Sequence, residues 1–200
     1  MISTKADEGE NLMLNRIAVS LSKRLISSNT ISEEMFDIYV YGLELLISSL
    51  FSTTVVLLIG ILSGCIFETI AFLITFILLR SFTGGFHANT YLLCSVVTFS
   101  TFTIVLLLSK FVSVHFYVYL ILAVMGLGII TWLAPVENPN KVLTASKKLR
   151  CKITSIVLFV ILIFVGIFTI EQLPSVSNAI FFTLLADIIL LFIKNKKRKE

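Results

Sequence analysis

Long stretches of the chain carry no lysine or arginine and are dense in Ile, Val, Leu and Phe, with short polar segments between them. Six such windows fall at residues 38–59, 61–79, 91–109, 111–133, 153–170 and 176–193. Each approaches the roughly 20 residues that a helix needs to cross a bilayer. The Ile, Val and Phe content would suit strands in water. In lipid a segment must satisfy its own backbone hydrogen bonds, and runs this long do so as helices. Glu44, Glu68 and Asp187 are the only acids inside the windows, with His115 near one edge. Ahead of them, Leu14, Ile17, Ala18, Leu21 and Leu25 recur at helical spacing, with Arg16 and Lys23 opposite. That pattern, within Asn11 to Ser28, predicts an amphipathic helix lying on the inner leaflet or packed on the protein's own spans.

Composition turns this pattern into a class. Hydrophobic residues make up 57% of the 200 and charged ones 14%, with a mean hydropathy of +1.01. A water-soluble globule and a disordered chain are both excluded. The prediction is an all-α polytopic membrane protein with six transmembrane helices behind an N-terminal interfacial amphipathic helix. It divides into a cytoplasmic N-terminal segment (1–37), a six-helix transmembrane domain (38–193) and a basic cytoplasmic tail (194–200).

Charge then sets the orientation. With both termini inside, the inner segments 1–37, 80–90, 134–152 and 194–200 hold 15 of the 16 Lys and Arg, and only Lys110 faces out. This is the positive-inside distribution. The polar start M-I-S-T-K-A-D-E-G-E predicts no cleavable signal peptide, and three cysteines argue against a disulfide framework. The tail K-N-K-K-R-K-E reads as a stop-transfer anchor that can also attract anionic lipid. Topology thus accounts for the basic residues, and no nucleic-acid partner is expected. No His/Cys/Asp/Glu cluster has metal-ligand spacing, and no phosphate-binding glycine fingerprint is present. No metal or cofactor is expected.

The chemistry concentrates in residues 80–94, R-S-F-T-G-G-F-H-A-N-T-Y-L-L-C, between the second and third spans. A thiolate is the reactive form of cysteine, and an imidazole can generate it. His87 and Cys94 supply that pair at a membrane–water boundary. Seven residues along a straight helix separate them by about 10 Å, beyond the roughly 3 Å of a hydrogen bond. The chain must therefore bend between them. Asn89 or Thr90 can cap the third span. Cys94 then sits near the end of the first turn, where the helix dipole favours the thiolate. Gly84 and Gly85 let the loop fold back and leave backbone N–H groups open to an oxyanion. By residue type alone, a packing cysteine and a solvated loop histidine are the commoner account of the pair.

The pattern R-x-x-x-G-G-x-H-A-x-x-x-x-x-C, so placed in a six-span chain of 200 residues, resembles the accessory gene regulator B (AgrB) family of bacterial membrane cysteine endopeptidases. The stretch A-P-V-E-N-P-N-K, from Ala134 to Lys141, resembles that family's loop after the fourth span. The resemblance implies Cys94 as nucleophile and His87 as base. It also implies a quorum-sensing pro-peptide (AgrD-like) as substrate, cleaved near its C-terminus and held as a thioester. An internal Cys or Ser of the peptide would then close a thiolactone or lactone. A multi-pass place in the bacterial cell membrane follows, with the active site at the cytoplasmic side. Some family members replace the first glycine of the pair, so Gly85 is the firmer functional residue and Gly84 the less secure.

Other residues carry two readings each. Asn89, Ser81 and an acid within the membrane are candidates for a third catalytic member. Arg80 either anchors the end of its span or binds a substrate carboxylate or Glu44. Glu44 and Asp187 lie at similar depths below the inner surface, which allows a buried polar cluster with Arg80. Cys65 and Cys151 are expected to be inert. Gly126 and Gly128 serve either a homodimer or packing within one subunit. An acidic C-terminal tail on the pro-peptide would suit the basic inner face. The competing class is a small peptide transporter or exporter without covalent chemistry.

Overall fold

The computed structural model describes residues 3–28, 32–84, 91–136 and 144–197, and side chains for 15–28, 32–84, 93–136 and 144–193. Every regular element among them is helical. Helix α1 spans Ser3–Ser27, α2 Phe36–Leu62, α3 Ile66–Thr83, α4 Tyr91–Phe111, α5 Phe116–Leu133, α6 Ala145–Phe168 and α7 Pro174–Lys197. A short 3-10 turn, Glu33–Met35, leads into α2. Helices α2 to α7 are each long and apolar enough to cross a membrane. The chain is an all-helical, multi-pass membrane protein.

The six windows free of lysine and arginine each find a helix, with shifted ends. Helix α6 starts at Ala145, well before its window, and takes in Lys147, Lys148, Arg150 and Lys152. These residues have good helix propensity, and a helix need not end where the hydrocarbon does. Helix α5 starts later than its window, after residues 112–115, which are outside any helix. It stops at Leu133, one residue before Ala134, which precedes Pro135 and is extended (φ −86°, ψ 149°). The proline ring disfavours helical geometry in the residue before it. Pro174 opens α7, where its fixed φ suits a first turn and its missing N–H is not needed.

Two compact units can be described separately: residues 1–56 with 87–99, and residues 57–86 with 100–200. Helices α2 and α4 run through both. In the first unit the Asn15 amide donates to Glu44 at 2.7 Å, and the Ser52 and Ser95 hydroxyls pair at 2.9 Å. On α1 the buried line is Ala18 and Ser22, while Ile17 and Leu21 are 47% and 40% exposed. Burial on this helix follows small size, which lets backbones approach, more than apolar character.

In the second unit α3, α5, α6 and α7 pack together, with α3 against α7 the most extensive pairing. Tyr119, Phe159, Ile163, Phe181 and Leu184 form the centre of its core. Polar side chains within this core are bonded across helices. Tyr119 Oη donates to the Ser177 carbonyl at 2.6 Å, and Ser177 Oγ donates to the Gly166 carbonyl at 2.8 Å. Asn178 accepts from the Val114 N–H and donates to the Ser109 carbonyl, both at 3.1 Å. It thereby pins the α4–α5 connection, where the Val114 N–H has no place in a helix ladder. Gly126 faces this interior. A Cβ there would collide with the Phe159 ring and come within 2.9 Å of Ile188. Gly128 has open space. Of the two glycines, Gly126 is used within the chain.

Candidate active site

Cys94 is the fourth residue of α4, so it stands in the first turn and its side chain is half-buried. Its carbonyl accepts from the Thr98 hydroxyl at 3.0 Å. The next residue, Ser95, makes the hydroxyl pair with Ser52 of α2. That pair fixes the rotation of α4 about its axis just where the thiol is presented. Small hydroxyls between lipid-embedded helices commonly act this way, each contributing about 0.6 kcal/mol.

The other side of the motif is built from the end of α3. Gly84 caps that helix in the left-handed conformation (φ 75°, ψ 45°), and its N–H bonds back to the Arg80 carbonyl. An L-residue resists this φ. Space forbids one as well, because a Cβ at Gly84 would run into the carbonyl oxygen of Val136. The Val136 N–H donates to the Thr83 carbonyl at 3.0 Å. The root of the motif loop is therefore held against the segment that leaves α5. Gly84 thus has a structural requirement here independent of any oxyanion role.

Arg80 is half-buried in the last turn of α3. Its guanidinium carbon lies 4.9 Å from the centre of the Phe76 ring, a cation–π distance. Ser81 is exposed and its hydroxyl donates to the Ile77 carbonyl of its own helix at 2.6 Å, the usual local bond of a helical serine. Glu44 is half-buried and accepts from Asn15. Gly85, His87 and Asn89 lie outside the described residues, as do Glu137, Asn138 and Pro139. Asp187 is buried, at 7% exposure. Its Oδ2 has no hydrogen-bond partner, and Arg80 is the charge that acts on it.

The two remaining thiols are set differently from Cys94. Cys65 is buried at the start of α3 and donates to the Ser63 carbonyl at 3.2 Å. Lys110 lies close enough to interact electrostatically with Cys65 and Glu68. Cys151 lies in the cationic start of α6. None of the three is in a disulfide. A cavity of about 420 Å³ between α1 and the start of α2 is lined by Lys23, Ile26, Ser27, Glu33 and Phe36, apart from the motif.

The family described as accessory gene regulator B (AgrB) matches residues 14–191, from the second half of α1 to the last turns of α7. The chain belongs to the AgrB family. An AgrB-like protein of Clostridium perfringens (strain SM101 / Type A) is 28% identical over 166 residues, covering 79% of this chain and 78% of that protein. An AgrB-like protein of Halalkalibacterium halodurans is 27% identical over 158 residues, covering 75% and 77%. The accessory gene regulator protein B of Staphylococcus intermedius is 27% identical over 121 residues, covering 60% and 64%. No solved structure matches the chain.

Sequence reasoning missed Ser52, Ser95 and Val136 around the AgrB motif. Ser52 and Ser95 carry no motif, and their only signal is that both are small polar residues inside apolar windows. Val136 acts through its backbone, which no side-chain pattern announces. Asp187 stands out in the sequence as a costly acid within the membrane at a depth near Arg80, and the structure adds that its helix packs on α3.

Proposed function

We propose that this AgrB-family protein is a membrane cysteine endopeptidase that cleaves the C-terminal part of a quorum-sensing pro-peptide and supports its cyclisation. The observation that carries the reading is the station of Cys94. It occupies the first turn of an apolar helix, directly after the R-x-x-x-G-G-x-H-A motif, in a chain of this family. His87 is the base assigned to form the Cys94 thiolate.

In the reaction, the Cys94 thiolate attacks the carbonyl carbon of the scissile peptide bond. The C–N bond breaks, and the leaving amine takes the proton held by the His87 imidazolium. The peptide's new C-terminal acyl group remains as a thioester on Cys94. A Cys or Ser within the peptide then attacks that thioester, giving up its proton to His87. A thiolactone or lactone closes, and Cys94 leaves as thiolate. The thioester keeps the acyl energy that hydrolysis would dissipate, and an internal nucleophile attacks at high effective concentration. A lipid-edge site restricts water, the competing nucleophile.

Arg80 is assigned the carboxylates of the peptide's acidic tail, because a guanidinium matches a carboxylate in charge and shape. The Lys and Arg distribution supports an orientation with both termini and the motif on the cytoplasmic side. Exposed Ile17 and Leu21 support contact of α1 with the inner leaflet. A homodimer is part of the same reading, with Gly128 as a surface residue able to serve it.

The test is processing of the cognate pro-peptide in membranes. Cys94→Ala and His87→Ala should each abolish cleavage while the protein still inserts, and Cys65→Ser and Cys151→Ser should cleave normally. Alkylation should label Cys94 fast and pH-dependently, and His87→Ala should slow it to the rate of Cys65. Normal processing by Cys94→Ala ends the proposal. Substrate export that survives Cys94→Ala but needs Asp187 would instead favour a transporter.

A further inference from the structure

Helices α3 and α7 form the most extensive helix pair of their unit. Arg80 lies 14 residues beyond the first residue of α3 and Asp187 13 beyond that of α7. At 1.5 Å per residue these are similar heights, about 21 and 20 Å. Helices separated by an even number of crossings run in the same direction, so the two residues stand at similar distances along parallel, packed helices. The Asp187 carboxylate is buried and one of its oxygens has no hydrogen-bond partner, while Arg80 is the charge that acts on it. An arginine at a helix end in lipid ordinarily extends toward water. This one is half-buried over the Phe76 ring.

Stability is a poor explanation for such an arrangement. Burying a carboxylate costs desolvation that the attraction of a nearby cation commonly fails to recover. An acid within the membrane is costly on insertion, by about 2.5–3.5 kcal/mol at a helix centre. Arg80 sits four residues before Gly84, at the root of the motif loop. We infer that Asp187 is a positioning residue, holding the Arg80 guanidinium at the base of that loop so that Arg80 can receive an acidic substrate tail. This rests on the peptidase reading above and on the tail-binding role it gives Arg80.

The experiment uses the full-length protein in proteoliposomes and two synthetic peptides. One has an internal cysteine and a Glu-rich C-terminal tail, and the other has Gln at those Glu positions. Asp187→Asn should raise KM for the Glu peptide about tenfold with kcat within about twofold, the mark of lost binding common to ground and transition states. KM for the Gln peptide should stay unchanged, so the preference between the peptides collapses. Asp187→Glu should restore most of it. A merely structural role would impair both peptides alike, and that result, or an unchanged preference in Asp187→Asn, overturns the inference.

A second measurement stands apart from activity. Tm is compared for the parent, Arg80→Gln, Asp187→Asn and the double variant. The double variant should lose no more than the worse single one, because each already breaks the same interaction. Losses that add overturn the inference. If the parent cleaves neither peptide and Cys94 alkylates slowly, the peptidase reading has failed. The Tm cycle still decides whether Asp187 holds Arg80.

Discussion

Glu44 and Asp187 are both carboxylates in apolar helices, and their surroundings differ in kind. Glu44 is half-open and takes a neutral amide from Asn15 on a neighbouring helix. Asp187 is shut into a packed interior, with an oxygen unbonded and an arginine as its charge neighbour. The helices that carry them differ in the same sense. In the apolar window of α7, 56% of residues are buried within the protein, against 17% for α2. A carboxylate at a helix surface can exchange partners with water or headgroups, so it tolerates substitution. One inside a packed helix group has only the partners the fold provides, so it constrains them.

The contrast can be broken most directly by overfilling. Gly126→Leu pushes a side chain into the Phe159 ring and should cost about 3 kcal/mol. Gly128→Leu enters open space and should leave Tm in detergent unchanged or slightly raised. Equal losses from both would mean that the interior of the second unit is no tighter than its surface.

A smaller effect comes from removing volume. Leu184 is fully buried on α7 and Leu50 is 59% exposed on α2. In lipid the transfer part of a leucine's contribution disappears and the cavity part remains, so Leu184→Ala should cost about 2 kcal/mol. Leu50→Ala leaves no cavity and should shift Tm little. Thermal unfolding in one detergent checks both.

The smallest effect sharpens the polar side of the comparison. Asn178→Leu strips partners from the Val114 N–H and the Ser109 carbonyl and should cost about 1–2 kcal/mol, since buried backbone groups are left unsatisfied. Asn15→Leu removes a donor from the half-open Glu44 and should cost less. Hydrogen exchange at residues 112–115 should rise in the first variant only.

The span pattern was legible because absence of charge is a local property, and each window found its helix. The start of α4 at Tyr91 also fell where its apolar window began, with Cys94 a few positions on. What stayed hidden depends on neighbours distant in sequence. Gly126 and Gly128 look alike two residues apart, and only the helix facing them separates their roles. Ser22 gave no sign of being more buried than Leu21, because close approach selects small residues. The cationic start of α6 was excluded by a charge filter suited to lipid, whereas a helix continues past the lipid boundary.

The bond from the Val136 amide to the Thr83 carbonyl joins two connections that the sequence separates by about fifty residues. One tether thus governs two loops. Lengthening, cutting or crowding either connection at its root would tug on the other, so variation in the stretch after α5 should be felt in the stretch that carries the histidine. Loop swaps between relatives should therefore succeed when both connections are exchanged together and fail when only one is.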